Sequence, residues 1–270
     1  MNKLFFMGLI CLTLVSCEKE IQIDLNSAEP KLVVEAYLSD QSDTATVTLT
    51  RTVNFSDPST YPAISDAIVV ITDLEGNTWN CTQSTPGTYQ NTNLRGKIGQ
   101  KYFLSITTAD GQKYTAESTL PAPVMLDKID FRELAFGPPG GGGSDSTSFA
   151  LIPRYFDPAD AQNNYRFIQT VNGERDLSIQ VKNDNIFDGR VNEQPLFSVD
   201  VEIYSGDIVT LEMMCIDKGA YDYFFSLSQY LSTNGPNAAG VPANPVSNIS
   251  NGALGYFSAF SFQKRTVVVP

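Results

Sequence analysis

Thr44-Ala45-Thr46-Val47-Thr48-Leu49-Thr50-Arg51-Thr52-Val53 places a threonine at every second position and, Arg51 apart, an apolar residue between each pair. Successive side chains of a strand point to opposite faces, so Ala45, Val47, Leu49 and Val53 share one face while Thr46, Thr48, Thr50 and Thr52 share the other. The stretch therefore reads as a half-buried strand, and its β-branched content agrees. The same period of two recurs upstream in Leu32, Val34, Ala36 and Leu38, and downstream in Tyr102, Leu104 and Ile106. Asp110-Gly111, lying between Ser105-Ile106-Thr107 and Lys113-Tyr114-Thr115, signals a two-residue hairpin with positive φ at both turn positions, and Asp73-Leu74-Glu75-Gly76 signals another. About seven short strands across residues 28–123 predict a two-sheet sandwich of immunoglobulin or fibronectin type. The segment lacks the paired cysteines of antibody domains, so the architecture alone is implied.

Leu120-Pro121-Ala122-Pro123 interrupts the pattern, because alternate prolines cannot serve a central ladder. A boundary is placed there, and residues 124–270 read as a second β-rich domain. Its expected strands are Ile129 to Phe136, Ser148 to Phe156, Tyr165 to Val171, Leu177 to Val181, Val199 to Tyr204 and Ile208 to Ile216, the third and fourth being paired through Asn172-Gly173. From Asp217 to Ser232 the spacing changes. Ala220, Tyr223, Phe224, Leu227, Tyr230 and Leu231 recur at intervals of three and four behind a capping Asp217, which predicts one amphipathic helix docked on the sheet. Gly137-Pro138-Pro139-Gly140-Gly141-Gly142-Gly143-Ser144 lacks the Lys-Ser/Thr end and following helix of a phosphate cradle and reads as a loop. Near the end, Tyr256, Ser258, Phe260 and Phe262 alternate as a strand expected to close the second sheet. Asn248, Asn251, Gly252 and Gly255 before and within it read as turn residues, Asn248 and Asn251 also being candidates for ligand contact.

With 42% hydrophobic and 11% aromatic residues in 270 positions, the chain has material for one or two buried cores. Its formal charge of −12 and singly scattered Lys and Arg argue against nucleic acid as a partner. Cys81 and Cys215 are the only cysteines beyond residue 17, and without a framework spacing they are expected to be buried and unbridged. The chain contains no histidine, which leaves neither cysteine a plausible metal site and makes the common Ser/His/Asp and Cys/His devices unavailable. No metal or cofactor is expected.

At the N-terminus, Lys3 precedes a twelve-residue apolar run, Leu4 to Val15, and then Ser16-Cys17. A spanning helix needs about 20 apolar residues, so the run reads as a cleaved export signal. Leu14-Val15-Ser16-Cys17 resembles the bacterial lipobox, which implies a signal peptide over residues 1–16, lipid attachment at Cys17 and a tether over residues 17–27. Two lipid signals suffice for stable anchoring, so outer-membrane lipid is an expected partner. Glu18-Lys19-Glu20 resembles the short charged signals that send Bacteroidota lipoproteins to the cell surface.

Paired carboxylates are the remaining enzymatic option: Asp157 with Asp160, or Asp184 with Asp188, for a glycosidase-like hydrolase. Asp157-Pro158 is a common turn opening, and the turn reading is preferred for all four. Asp184 to Gly189 departs from a calcium loop, since Ile186 and Pro195 stand where oxygen ligands belong. Asp188 is kept as a possible ligand or partner contact.

Cys17-Glu18-Lys19-Glu20, Glu29-Pro30-Lys31-Leu32-Val33-Val34-Glu35-Ala36, Ile186-Phe187-Asp188-Gly189 and the ending Asn244 to Phe257 resemble the Bacteroidota lipoprotein family catalogued as domain of unknown function 4249. Members are often encoded beside TonB-dependent outer-membrane receptors. The resemblance implies a non-enzymatic binding or accessory component for nutrient uptake, acting on an unknown small-molecule or polymer ligand with such a receptor. A structural or adhesive envelope lipoprotein and a carboxylate-dependent hydrolase are the alternatives.

Overall fold

The computed structural model describes residues 29–270 apart from 55–59, 135–146, 160, 187, 199 and 234–243. The protein is mainly β with one helix among the described residues. The signal, Cys17 and tether, the Gly137–Ser144 loop and Asp160 lie outside the described residues.

The first seven strands are β1 (Leu32–Ser39), β2 (Ala45–Arg51), β3 (Ile68–Asp73), β4 (Thr78–Thr85), β5 (Thr88–Asn91), β6 (Lys101–Thr107) and β7 (Lys113–Thr119). They form the expected sandwich. One sheet runs β1-β2-β5 and the other β3-β6-β7, while β4 joins both by pairing with β3 through Thr78–Cys81 and with β5 through Thr82–Thr85. The alternation works as read: Val34, Ala36, Leu38, Val47, Leu49, Ile71 and Ile106 are fully buried between the sheets. The β6–β7 hairpin forms at Asp110-Gly111, but only Gly111 takes positive φ, at 82°. Thr108 N–H donates to Gln112 O at 3.0 Å and Gly111 N–H to Thr108 O at 2.8 Å, so the loop is wider than the two-residue turn expected.

The remaining elements are β8 (Leu126–Leu134), β9 (Ser148–Phe156), β10 (Asn164–Val171), β11 (Glu174–Arg175), β12 (Gln180–Asn183), β13 (Val191–Asn192), β14 (Ile208–Ile216), α1 (Lys218–Thr233) and β15 (Leu254–Val268). A small sheet β13-β9-β8 faces the sheet made by β10, β14 and the second half of β15. Tyr155, Tyr165, Phe167, Val209 and Leu211 fill the space between them. The strand expected at Val199 to Tyr204 is reduced to a bridge between Tyr204 and Ser148. There the chain turns instead, Tyr204 N–H donating to Asp207 Oδ2 at 2.7 Å and Asp207 N–H to Tyr204 O at 3.2 Å.

The helix spans Lys218–Thr233, one residue from the sequence reading. Asp217 caps it, accepting from Ala220 N–H through Oδ1 at 3.0 Å. Its Oδ2 accepts from Thr119 N–H at 3.1 Å, which fastens the helix start to β7.

β15 joins the two halves of the chain. Residues Leu254–Phe260 pair in parallel with β1, and Ser261–Val268 pair antiparallel with β14. The ladder is thereby continuous from β11 through β10, β14, β15, β1, β2, β5, β4, β3 and β6 to β7. Of the four residues expected to close the second sheet only Phe262 pairs with β14, whereas Tyr256, Ser258 and Phe260 pair with β1, so the terminal strand lies between the two sheets and completes the first sandwich, where Ile249, Ala253, Phe257 and Ala259 enter the core. Cys81 lies in the first core and Cys215 in the second, both buried and unbridged.

Candidate functional site

The period of two gives β15 two working faces. Phe257 and Ala259 point into the first core, while Tyr256, Phe260 and Phe262 point to the other side, toward α1. Neighbouring strands obey the same parity, since Tyr165 and Phe167 are interior while Arg166 and Ile168 are not, and Met213 and Cys215 are interior while Met214 lies under the helix. One outward sheet face therefore extends across β1, β15, β14 and β10, and α1 lies over part of it.

Between helix and sheet runs a groove of about 490 Å³, within the usual range for a small-molecule site. Tyr37, Tyr256, Phe260, Tyr223 and Phe224 make it strongly aromatic, and Arg166, Arg175, Glu35 and Glu212 bring charge to it. The rings touch one another: Phe224 and Tyr256 centroids are 4.7 Å apart, Tyr223 and Tyr256 5.0 Å, and Tyr223 and Phe224 5.1 Å. The Arg166 guanidinium carbon lies 3.7 Å from the Phe224 centroid, a cation–π contact worth about 2 kcal/mol when desolvated. Burial lowers the Arg166 pKa, while the neighbouring Tyr256 phenol pulls the other way. Arginine keeps its proton even so. Burial pushes the Tyr223 phenol up to about 12 and raises Tyr256 as well, so both are neutral hydrogen-bonding groups near neutral pH.

Two polar groups in this groove stand out by what they lack. Among the described residues Arg166 makes no ion pair with a carboxylate, whereas Glu212 has Lys264 at 3.5 Å. Ser258 is 2% exposed and its Oγ has no hydrogen-bond partner among the described residues. A buried hydroxyl without a partner costs about 1 to 3 kcal/mol, so its position calls for an explanation.

The candidates named from sequence lie elsewhere. Asn248 donates to Phe257 O at 2.8 Å and accepts from Phe257 N–H at 2.9 Å, so its amide holds the start of β15. Asn251 takes φ of 56° and donates to Lys113 O at 3.4 Å, in the turn before β15. Asp188 lines a separate hollow with Asp184, Asn185, Ala159, Ala161 and Gln162. Asp184 Oδ2 accepts from Asn163 N–H at 2.6 Å, and Asp188 N–H donates to Asp184 O at 2.9 Å. Asp157 is fully buried, its Oδ1 accepting from the Tyr165 hydroxyl and its Oδ2 without a partner among the described residues. Desolvation is the main cause that raises its pKa, and the charges of Asp184 and Asp188 act in the same direction. Among the described residues no three His, Cys, Asp or Glu side chains are grouped to hold a metal ion. No helix among them is long and apolar enough to cross a membrane.

Sequence reasoning did not pick out the groove residues. The aromatic stripe of the helix and the Tyr256-Ser258-Phe260 alternation were both visible, but each read as packing. Arg166 carried a signal, being a charge on an otherwise aromatic and aliphatic strand, Tyr165-Arg166-Phe167-Ile168.

A mainly-β body whose two halves share one strand, with an aromatic groove under α1, is the class that fold and site define. The chain belongs to the family described as a domain of unknown function, DUF4249, whose model matches residues 18–266. No curated protein matches the chain.

Proposed function

We propose that this chain is a lipid-anchored, non-enzymatic binding component of a bacterial outer membrane, displayed at the cell surface, that assists a TonB-dependent receptor in nutrient uptake. Cys17, at the end of a twelve-residue apolar run, is the attachment point, and the polar residues behind it are the tether. Acyl chains at that cysteine hold the body at the membrane. The acidic balance of the chain, −12 over the full sequence, keeps the body off anionic headgroups.

The groove is the observation that carries the binding role. It is concave, aromatic and of ligand size, and among the described residues its wall holds a guanidinium without a carboxylate partner and a hydroxyl without a hydrogen-bond partner. An aromatic platform beside a few convergent polar groups holds a ligand by stacking and hydrogen bonds and leaves its bonds intact.

Affinity purification of the tagged protein from native membranes tests the partnership. An outer-membrane receptor is the expected co-purifying protein, and its absence would count decisively against the uptake role. Labelling with palmitate tests the anchor: incorporation into wild type and its loss in Cys17→Ala are expected, and label retained by the variant would refute lipidation at this residue. Deletion separates uptake from adhesion, since impaired growth on a particular nutrient supports the former and impaired attachment the latter.

A further inference from the structure

We infer that the groove under α1 receives a small carboxylate ligand with a flat or ring-shaped body, the carboxylate on Arg166 and a second polar group on Ser258 Oγ. The inference rests on the reading of the chain as a binding protein and adds the chemical class of what it binds.

A guanidinium stripped of much of its water is normally matched by a carboxylate or phosphate, because an unmatched buried charge is costly. Arg166 has rings and a like charge beside it: Phe224 stacks on one face at 3.7 Å, the Tyr256 phenol takes a hydrogen bond, and Arg175 adds a second positive charge that an anion would relieve. Stacking occupies the face of the guanidinium and the Tyr256 phenol one part of its edge, and the remaining N–H donors form the fork that fits the two oxygens of a carboxylate. Neither carboxylate of the groove supplies those oxygens: Glu212 has Lys264 at 3.5 Å, and Glu35 makes no ion pair with Arg166 among the described residues.

Shape completes the class. Tyr256, Phe260 and Tyr37 form a wall of rings beside Arg166, and α1 covers it with Tyr223 and Phe224. Ring faces accept another flat apolar or sugar-ring surface, and about 490 Å³ admits a body of one to three rings and excludes a folded partner. Ser258 lies on the same wall, buried, with its hydroxyl unused by the protein. A ligand oxygen or N–H in the groove would give that hydroxyl the partner it lacks.

Titration calorimetry on the purified full-length chain decides the matter with two probe pairs, indole-3-acetate against its primary amide and glucuronate against glucose. At least one acid is expected to bind saturably, with its neutral counterpart at least about tenfold weaker, since the amide or sugar forfeits a charge-assisted bidentate contact. Arg166→Gln should bring the acid to the level of its neutral counterpart, and Arg166→Lys should restore part of the difference. Ser258→Ala, a small change in a packed wall, should weaken the acid about threefold to tenfold and keep the thermal midpoint. If Arg166→Gln does not fold, the wild-type acid-to-neutral ratio and Ser258→Ala still decide. Equal binding of acid and neutral forms, undiminished binding by a folded Arg166→Gln, or no saturation by either acid up to about 10 mM overturns the inference. None of these results alters the membrane purification, which reads the receptor partnership independently.

Discussion

Gly255 lies so close to the backbone of Val34 that a Cβ built on it would stand 1.9 Å from the Val34 carbonyl oxygen. Its φ of 98° is also one that side chains rarely adopt. These two facts mark where the C-terminal strand enters parallel pairing with β1, Val34 being opposite Gly255 in the register. Gly255→Ala must therefore break the pairing or move β1. A loss of about 3 kcal/mol or more in urea denaturation is expected, combining overlap with backbone strain. A loss under about 1 kcal/mol would show that the parallel register is not the one described.

Phe257 carries the next test, because it is fully buried in the first core while the strand it belongs to also pairs with β14. Phe257→Ala should cost about 3 to 5 kcal/mol, the usual range for a core phenylalanine. Since β15 runs in both ladders, the whole body should melt in one transition at a lower midpoint. Two resolved calorimetric transitions would mean that the halves unfold independently.

Asp217 both caps α1 and accepts from Thr119 N–H. Replacing it with alanine removes a helix cap and a cross-element bond, an expected loss of about 1 to 2 kcal/mol, with Asp217→Asn losing less. Hydrogen exchange should show faster opening of the first turn of the helix in Asp217→Ala. Unchanged exchange there would indicate that the cap does not hold the helix in place.

Asp157 gives a pH signature of unusual sign. Burial raises its native pKa above the ordinary 3.8, so the folded state holds that proton more tightly than the unfolded chain does. Its contribution to stability is fully present below the unfolded value and is lost as pH rises through the raised native value. Asp157→Asn removes the titration. The stability of wild type relative to Asp157→Asn should therefore be greater at pH near 4 than at pH near 7, by urea denaturation at both. A relative stability that falls on acidification would contradict a native pKa raised by burial of the carboxyl.

Cys81 and Cys215 should both resist alkylation in the native protein, for burial raises both thiols, Cys81 to about 11. Peptide mapping after iodoacetamide treatment should find both unmodified until denaturant is added. Rapid modification of either in native buffer would place it at the surface.

The individual elements were legible in sequence for a local reason. Val47 and Leu49 are buried because a strand turns alternate side chains to one side, and the threonines between them mark the other. The helix was legible because Ala220, Phe224 and Leu227 fall on one face at its own period. The turn at Asp110-Gly111 was half legible: glycine announced a positive φ, but the hydrogen bonds from Thr108 to Gln112 widened the loop. Asn248 shows the limit, since nothing in its local sequence says that its amide will be taken up by the backbone of Phe257.

Although Val199 to Tyr204 reads as a strand and forms only a bridge, the sequence by itself determined most of the extended segments, the helix behind Asp217, and which side chains of the regularly alternating strands turn inward. Those follow from backbone geometry and side-chain period, both of which act within a few residues. Only the tertiary structure decided that β15 lies beside β1 and continues beside β14, because strand order depends on which surfaces can be buried together across more than two hundred positions of chain. The groove is a product of that order. Tyr37, Arg166, Phe224 and Ser258 come from four separate elements, and they share a wall only because the last strand joins the two halves of the protein into one sheet face.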